Sequence, residues 1–173
     1  MLLTWTTQLA DDAATARIGG LLFDAMAAEQ THIAQQGLTL ALQGPLGAGK
    51  TTLVRALLRA AGITGPIKSP TFAVLEPYKL SHPKVSNLDF HHFDFYRFSE
   101  AAEFSDIGFR ELFGPGKICV MEWPERVADR LPAPDLRLVL DIPTEGATEG
   151  RTLHVEATTE LGASCLNLIR NPS

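Results

Sequence analysis

The chain has 173 residues, which is the length of one ordinary domain. Its net charge of −5 at pH 7 and its lack of clustered lysine and arginine argue against broad electrostatic binding to nucleic acid or to an anionic membrane. The two cysteines are too few for a disulfide framework. No signal-peptide pattern opens the chain, and no apolar stretch reaches transmembrane length. We therefore expect a cytoplasmic protein with a single domain over residues 1–173.

The hydrophobic pattern predicts strands and helices that alternate along the first two-thirds of the chain. Strands are predicted over residues 2–7, 37–44, 71–78, 85–96, 117–122, 136–143 and 151–157. Helices are predicted over residues 14–30, 53–61, 99–112 and 124–131, the third of them as one or two short helices. The apolar segment after residue 160 is expected to pack as a terminal helix. Such alternation is typical of an α/β sheet with helices on its faces.

The stretch GPLGAGKT at residues 44–51 matches the pattern G-x-x-x-x-G-K-[ST], with a predicted strand before it and a predicted helix after it. Glycines let the backbone curl so that successive N–H groups point at phosphate oxygens, and the helix N-terminus adds a partial positive charge. We therefore predict a phosphate-binding loop. The fold class that follows is a single-domain, P-loop NTPase-like three-layer sandwich, in which a mixed, mainly parallel central sheet carries helices on both faces.

Three side chains of this loop have separate predicted roles. Lys50 is expected to reach the β- and γ-phosphates of a nucleotide, Thr51 to ligate Mg²⁺ through its hydroxyl, and Thr52 to contact the α-phosphate. Pro45 has no N–H group and therefore contributes none to the phosphate cradle. The predicted nucleotide-binding residues of the loop are Gly44, Gly47, Ala48, Gly49, Lys50, Thr51 and Thr52.

Two carboxylates at predicted strand ends are candidates for a magnesium site, because Mg²⁺ prefers oxygen ligands. We predict that Asp94 and Glu122 both face the metal, and which of them contacts it directly stays open. The structural alternatives are an ion pair between Asp94 and Arg97, and a helix N-terminal position for Glu122 ahead of Pro124. The base is expected to be adenine, since the Asn/Lys-x-Asp motif of guanine-specific loops does not occur.

Several residues near these acids receive predictions of their own. Trp123, next to Glu122, either packs near the nucleotide or, as we expect, lies in the core. His91 and His92 are adjacent in a predicted strand and therefore point to opposite faces, so we expect one to face the core and the other the solvent. The Thr71 hydroxyl either orients water and senses the γ-phosphate, or serves only as a turn hydroxyl beside Pro70.

Six motifs, GPLGAGKTT, KSPTF, LEPY, HFDFYR, DIGFRELF and EWPERV, occur in this order along residues 38–134. Their order and approximate spacing resemble those of the TsaE (YjeE) family, the small ATPases of tRNA threonylcarbamoyladenosine synthesis. The resemblance implies a protein that depends on ATP and Mg²⁺ and acts on the heterodimer of TsaB and TsaD. In that family TsaD transfers the threonylcarbamoyl group, so this chain is expected to meet tRNA only through the complex and to involve no membrane.

The resemblance also implies roles for single residues. Thr51 and Glu122 match the magnesium positions of the family, and Asp94 matches an acid needed for hydrolysis. Thr71 matches a segment near the γ-phosphate, as in a switch-like loop. The catalytic set is therefore expected to be Lys50, Thr71, Asp94 and Glu122, and the metal set Thr51, Asp94 and Glu122.

Two residues outside these motifs complete the predicted nucleotide site. Asp12, near the start of the first helix, matches a position close to the base in relatives. Arg151, at the start of a closing strand, matches another such position. Both are therefore expected to bind the nucleotide.

Two other classes of function stay open beside a slow, partner-stimulated ATPase. A small-molecule kinase suits the size and the loop, and DFYR loosely resembles the acid–arginine pair that such enzymes use on an acceptor hydroxyl. A nucleotide-gated binding module, in which hydrolysis is incidental, is the second alternative. The first predicts a phosphorylated acceptor, and the second predicts that hydrolysis-dead variants still support tRNA modification.

Overall fold

The computed structural model describes residues 2–143 and 150–173, which form an α/β fold. Its strands are β1 (Leu3–Leu9), β2 (Leu38–Gln43), β3 (Leu75–His82), β4 (Val85–Asp94), β5 (Lys117–Glu122), β6 (Leu136–Asp141) and β7 (Arg151–Ala157). Its α-helices are α1 (Asp12–Ala28), α2 (Gln30–Gln36), α3 (Lys50–Ala60), α4 (Ala102–Ile107) and α5 (Glu160–Arg170), and 3₁₀ segments lie at Phe109–Leu112, Pro124–Arg126 and Ala128–Arg130. None of the helices in these two ranges has the length and apolarity needed to cross a bilayer. The connection predicted before the last strand falls largely on residues 144–149, outside the described residues.

The strands form one mixed sheet in the order β1-β7-β6-β2-β5-β4-β3. The three central pairings, β6–β2, β2–β5 and β5–β4, are parallel, whereas the three outer pairings are antiparallel. The carboxyl ends of the parallel strands therefore meet at one edge of the sheet, which is where open α/β sheets bind ligands. In this register Asp94, the last residue of β4, lies directly opposite Glu122, the last residue of β5.

Both faces of the sheet are covered, as predicted, but unequally. α1, α2, α3 and α5 pack on one face, against strand residues such as Leu40, Phe90 and Val120. On the other face α4 and the 3₁₀ segments surround a cluster of aromatic rings centred on Phe93. The predicted α/β class with a mixed sheet and a parallel centre is confirmed.

Two predicted elements differ from the structure. The strand predicted over residues 71–78 begins only at Leu75. Its first four residues form a turn, in which the Val74 N–H donates to the Pro70 carbonyl at 2.6 Å and Val74 has a φ of 67°. The helix predicted over residues 124–131 is instead a pair of short 3₁₀ segments. In both places a backbone turn interrupts a pattern that the hydrophobic spacing alone would continue.

Helices α1 and α3 approach each other closely at Gly19. A Cβ atom on Gly19 would lie 2.5 Å from the Cβ atom of Ala56 and 2.6 Å from the Ala56 carbonyl carbon. A Cβ atom on the next residue, Gly20, would have no heavy atom within 4 Å. Alanine substitutions at these two positions therefore distinguish the steric effect of an added methyl group from its effect on helix propensity.

We expect Gly19→Ala to lower the free energy of unfolding by about 1–3 kcal/mol, because the added methyl group overpacks the α1–α3 contact. Gly20→Ala is the matched control and should raise the free energy of unfolding by about 0.5–1 kcal/mol, since alanine is the better helix former. Urea unfolding of the two variants measures both effects. Equal changes in the two variants would contradict the close packing at Gly19.

Candidate functional site

The glycine loop joins the carboxyl end of β2 to the first residue of α3, at the edge of the sheet where the parallel strands end. Gly44, Gly47 and Gly49 have φ angles of 142°, 79° and 100°, a region that favours glycine. A Cβ atom on Gly44 would clash with the Leu140 carbonyl, whereas Cβ atoms on Gly47 and Gly49 would meet nothing within 4 Å. The second and third glycines therefore leave open space at the start of α3.

Lys50, the first residue of α3, points back into this loop. Its Nζ donates to the carbonyl oxygens of Gly44 at 2.6 Å and Pro45 at 3.0 Å, and it lies 4.2 Å from the centre of the Trp123 ring. Burial lowers the pKa of Lys50, and the negative charges of Glu122, Glu125 and Asp94 act in the opposite direction. An ammonium group is thus held at the loop by two carbonyls, an aromatic ring and nearby acids.

Glu122 is 2% exposed and ends β5 beside the start of α3. The Thr51 hydroxyl donates to both carboxylate oxygens, at 2.8 Å to Oε1 and 2.9 Å to Oε2. His92 Nε2 lies 2.8 Å from Oε1. The structural alternative, a helix N-terminal carboxylate ahead of Pro124, is not what the structure shows, because the Glu122 carboxylate connects β4, β5 and α3 and caps none of the helices that the structure describes.

Asp94 is 4% exposed and has its own set of donors. The backbone N–H of Tyr96 donates to Oδ1 at 2.9 Å, and the Thr71 hydroxyl donates to Oδ2 at 3.2 Å. Burial raises the pKa of Asp94, the hydrogen bond from Tyr96 opposes this rise, and the charge of Glu122 adds to it. The alternative in which Asp94 pairs with Arg97 is wrong, since the Arg97 guanidinium lies 3.9 Å from the centre of the Phe72 ring.

These groups line one cavity of about 280 Å³. Among the residues predicted from the sequence, it brings together Gly47, Gly49, Lys50, Thr51, Thr52, Thr71, Asp94 and Glu122. Leu46, Tyr96 and Trp123 also line it, and the sequence did not assign them to the site. Gly44 takes part through its carbonyl, which accepts from Lys50.

A second groove of about 430 Å³ adjoins the cavity on the other side of the loop and shares Gly47, Gly49 and Thr52 with it. Asp12, Ala48 and Arg151 line this groove. The Arg151 guanidinium donates to the Gly47 carbonyl through Nη2 at 3.2 Å. The two residues that the sequence placed near a base thus lie beside the glycine loop, and their role stays a prediction.

Trp123 and the two histidines differ from expectation. Trp123 is half-buried and has a φ of 56°. It packs against the aromatic cluster and also contacts Lys50 at the cavity wall, so it belongs partly to the core and partly to the cavity. His91 and His92 do point to opposite faces, but both are buried and neither meets solvent. His91 Nδ1 lies 3.0 Å from the Leu112 carbonyl, and both faces of β4 are covered at this point.

The donor groups fit a Mg²⁺ ion that completes its shell with water and phosphate. Two buried carboxylates and the Thr51 hydroxyl supply oxygen atoms of the kind that Mg²⁺ prefers. In the described ranges no group of three or more His, Cys, Asp or Glu side chains forms a metal cage. Magnesium is usually bound by one or two carboxylates together with substrate phosphates.

The fold and the site define an α/β protein whose glycine loop joins a parallel strand to a helix and faces two strand-end acids. The sequence model of the family described as "Threonylcarbamoyl adenosine biosynthesis protein TsaE" matches residues 9–153. The tRNA threonylcarbamoyladenosine biosynthesis protein TsaE of Haemophilus influenzae is 32% identical over 137 residues, which cover 79% of this chain and 81% of that protein. The TsaE protein of Treponema pallidum is 38% identical over 119 residues, covering 68% and 83%.

A solved structure agrees with these sequence matches. The crystal structure of Bacillus subtilis YdiB superposes with a TM-score of 0.73 over 98% of this chain and 96% of that chain, at 23% identity, which shows a shared fold. The chain belongs to the TsaE family, whose role lies in tRNA threonylcarbamoyladenosine biosynthesis. The family match extends beyond residues 38–134 on both sides and includes Asp12 and Arg151.

We expect Asp94→Asn to raise the free energy of unfolding at pH 7.5 in the absence of metal. Because the folded-state pKa of Asp94 lies above its ordinary value, the folded protein binds this proton more tightly than the unfolded chain does. The ionised carboxylate therefore costs stability at neutral pH, and this cost disappears as the pH falls through the folded-state pKa.

Denaturant unfolding at pH 7.5 and pH 4.5 measures the difference between wild type and Asp94→Asn, which should be larger at pH 7.5. Asp89→Asn is the control, since Asp89 lies on the same strand but forms an exposed ion pair with Lys79 at 2.9 Å. A stabilisation by Asp94→Asn that is independent of pH would show that the buried charge is not its cause.

Proposed function

We propose that the protein binds ATP and Mg²⁺ at the glycine loop, hydrolyses the ATP, and thereby serves tRNA threonylcarbamoyladenosine modification by acting on the TsaB–TsaD heterodimer. It does not transfer the threonylcarbamoyl group itself. One observation carries the proposal: two buried carboxylates, Asp94 and Glu122, share a cavity with Lys50 and Thr51 at the mouth of the loop. Family membership supports the pathway.

The glycine loop and Lys50 bind the phosphates. The open space at Gly47 and Gly49 admits phosphate oxygens close to the backbone N–H groups at the start of α3. Lys50 Nζ, which rests on the Gly44 and Pro45 carbonyls, turns from them to the β- and γ-phosphate oxygens. Removing this ammonium group removes the main positive charge that the loop offers.

Thr51 and Glu122 hold the metal. The Thr51 hydroxyl gives its hydrogen to Glu122, which leaves the lone pairs of its oxygen for a cation. When bound, the Mg²⁺–ATP pair supplies the transferable γ-phosphoryl group and the positive charge that neutralises its oxygens. Glu122 contributes a carboxylate that is already oriented by two donors.

Asp94 and Thr71 position the attacking water. The carboxylate of Asp94 is the acceptor for a water proton, and burial raises its pKa, which makes it a better proton acceptor than an exposed aspartate. The Thr71 hydroxyl contacts both Asp94 and the Ser69 hydroxyl, at 3.2 and 2.8 Å, so it links the turn at residues 69–74 to the acid. The conformation of this turn can therefore depend on whether a γ-phosphate is bound beside Asp94.

Asp12 and Arg151 bind the nucleoside end of ATP. Both line the groove that begins at Gly47 and Thr52, on the side of the loop away from Asp94 and Glu122. A nucleotide whose phosphates lie in the loop has its base directed into this groove. The groove residues Asp12 and Arg151 offer an acceptor and a donor to the polar edge of adenine.

A partner protein covers the mouth of the cavity. Leu46 is 70% exposed on the loop and Phe72 is 82% exposed on the turn that carries Thr71. Large apolar side chains at such exposure around a functional cavity are typical of an interaction surface. The acidic net charge of −5 agrees with a protein that reaches tRNA through its partners and not through a basic face of its own.

The kinase alternative loses one of the three features that suggested it, and the size and the loop remain compatible with it. The acid–arginine pair read from DFYR requires Arg97 beside Asp94, whereas Arg97 stacks on the exposed Phe72 ring. An assay of tRNA modification with a hydrolysis-dead variant distinguishes the nucleotide-gated module from the ATPase. Loss of modification favours the ATPase, and normal modification favours the module.

We expect ATP hydrolysis by the purified chain to be slow and to rise when TsaB–TsaD is added. Lys50→Ala and Glu122→Ala should each lower the stimulated rate by at least about 100-fold. The first removes a positive charge from the transferring phosphoryl group, and the second removes a carboxylate proposed to hold the Mg²⁺ ion that neutralises it. Lys79→Ala is the matched control, since Lys79 is an exposed lysine on β3 whose partner is Asp89. Phosphate release measures the rate.

Two outcomes would overturn the proposal. Normal hydrolysis by Lys50→Ala would place the chemistry elsewhere on the chain. A rate that TsaB–TsaD leaves unchanged, together with phosphate transfer to a small metabolite, would favour the kinase.

A further inference from the structure

His92 is fully buried, with an exposed fraction of 0%, although its imidazole carries two polar nitrogen atoms. Nε2 lies 2.8 Å from Glu122 Oε1. Nδ1 is also buried and has no hydrogen-bond partner among residues 2–143 and 150–173. Within the described ranges, the imidazole of His92 therefore hydrogen-bonds only with the carboxylate that the proposed function assigns to the metal.

A purely structural role does not require a histidine at this position. The same face of β4 carries Leu88 and Phe90, which pack in the core beneath the helices. An apolar side chain at position 92 would fill similar space without burying an unpaired nitrogen, which is costly. The contact with Glu122 is what distinguishes His92 from its apolar neighbours on the strand.

The hydrogen-bond geometry selects one form of the ring. A carboxylate oxygen accepts, so Nε2 carries the hydrogen and donates to Oε1. The remaining nitrogen, Nδ1, then bears a lone pair, and a buried acceptor without a partner is more easily tolerated than a buried N–H. The ring thus donates to Glu122 through Nε2–H from a fixed position on β4.

Glu122 consequently has unequal oxygen atoms. Oε1 receives the Nε2–H group of His92 and a share of the Thr51 hydroxyl, while Oε2 receives only the Thr51 hydroxyl. With Oε1 held from the strand side, the carboxylate cannot rotate about its own axis without losing a bond. Such outer hydrogen bonds to ligating carboxylates set their orientation and basicity.

We propose that His92 is a positioning residue for the divalent cation: it fixes the Glu122 carboxylate so that Oε2 and the Thr51 hydroxyl oxygen are presented to Mg²⁺. The inference rests on the proposed function, since it specifies how the chain builds that site. His92 touches neither nucleotide nor metal and acts only through Glu122.

Two variants separate the hydrogen bond from the shape of the ring. His92→Phe keeps a planar side chain of similar size but removes the donor, whereas His92→Gln places an amide N–H near the position of Nε2. His91→Phe is the matched control, because His91 is the neighbouring buried histidine but faces the other side of the sheet. Circular dichroism and thermal unfolding check that each variant is folded.

The measurement is the binding of a fluorescent ATP analogue as Mg²⁺ is titrated, and again with the metal chelated. We expect His92→Phe to raise the Mg²⁺ concentration at which analogue binding is half-maximally enhanced by about 10-fold or more. Such a change is typical when a residue that hydrogen-bonds to a metal ligand is lost. His92→Gln should return it to within about 3-fold of wild type, and His91→Phe should leave it unchanged. Binding without metal should be the same in all four proteins.

An unchanged Mg²⁺ requirement in His92→Phe, or equal effects of the Phe and Gln variants, would overturn the inference while leaving the proposed function intact. A wild-type chain that binds the analogue with no dependence on Mg²⁺ would overturn both. The ring form is tested without any variant by a long-range ¹H–¹⁵N spectrum of the wild-type protein. The hydrogen is expected on Nε2, and a hydrogen on Nδ1 alone would contradict the inference.

Discussion

Asp94 and Glu122 are buried side by side because β4 and β5 pair in parallel register and end at the same edge of the sheet. Burial deprives both carboxylates of hydration, and their charges also repel each other. The first effect and, to a smaller extent, the second raise the pKa of Asp94. The surrounding groups reduce this cost by donating to them. Those donors are Thr51, Thr71, His92 and the Tyr96 N–H, with the Lys50 ammonium nearby.

This constraint connects the fold to the function. A corner that concentrates negative charge is a poor choice for stability alone, but it is suited to a divalent cation that arrives with a nucleotide. The glycine loop and the start of α3 supply the opposite charge from the other side of the cavity. In the proposed function, the exposed Leu46 and Phe72 would contact the partner protein beside this cavity.

The sequence predicts the glycine loop and both acids because each follows from local rules: a dense motif, and a carboxylate at the end of an apolar strand. The contact of Trp123 with Lys50 is not predicted, because it depends on a φ of 56° that turns the chain at the end of β5. A hydrophobic pattern carries no information about such a backbone angle. The burial of His92 and its hydrogen bond with Glu122 are not predicted. Strand alternation separates the two histidines but does not reveal that both faces of β4 are covered. Such features depend on contacts between segments far apart in the chain.

The most direct test of the account is a crystal structure with a non-hydrolysable ATP analogue and Mn²⁺, whose anomalous signal locates the metal. The account predicts phosphates in the glycine loop, Lys50 Nζ moved from the Gly44 and Pro45 carbonyls to the phosphate oxygens, and the metal beside the Thr51 hydroxyl and Glu122. A nucleotide bound elsewhere, or a metal with no contact to either residue directly or through one water, would contradict it.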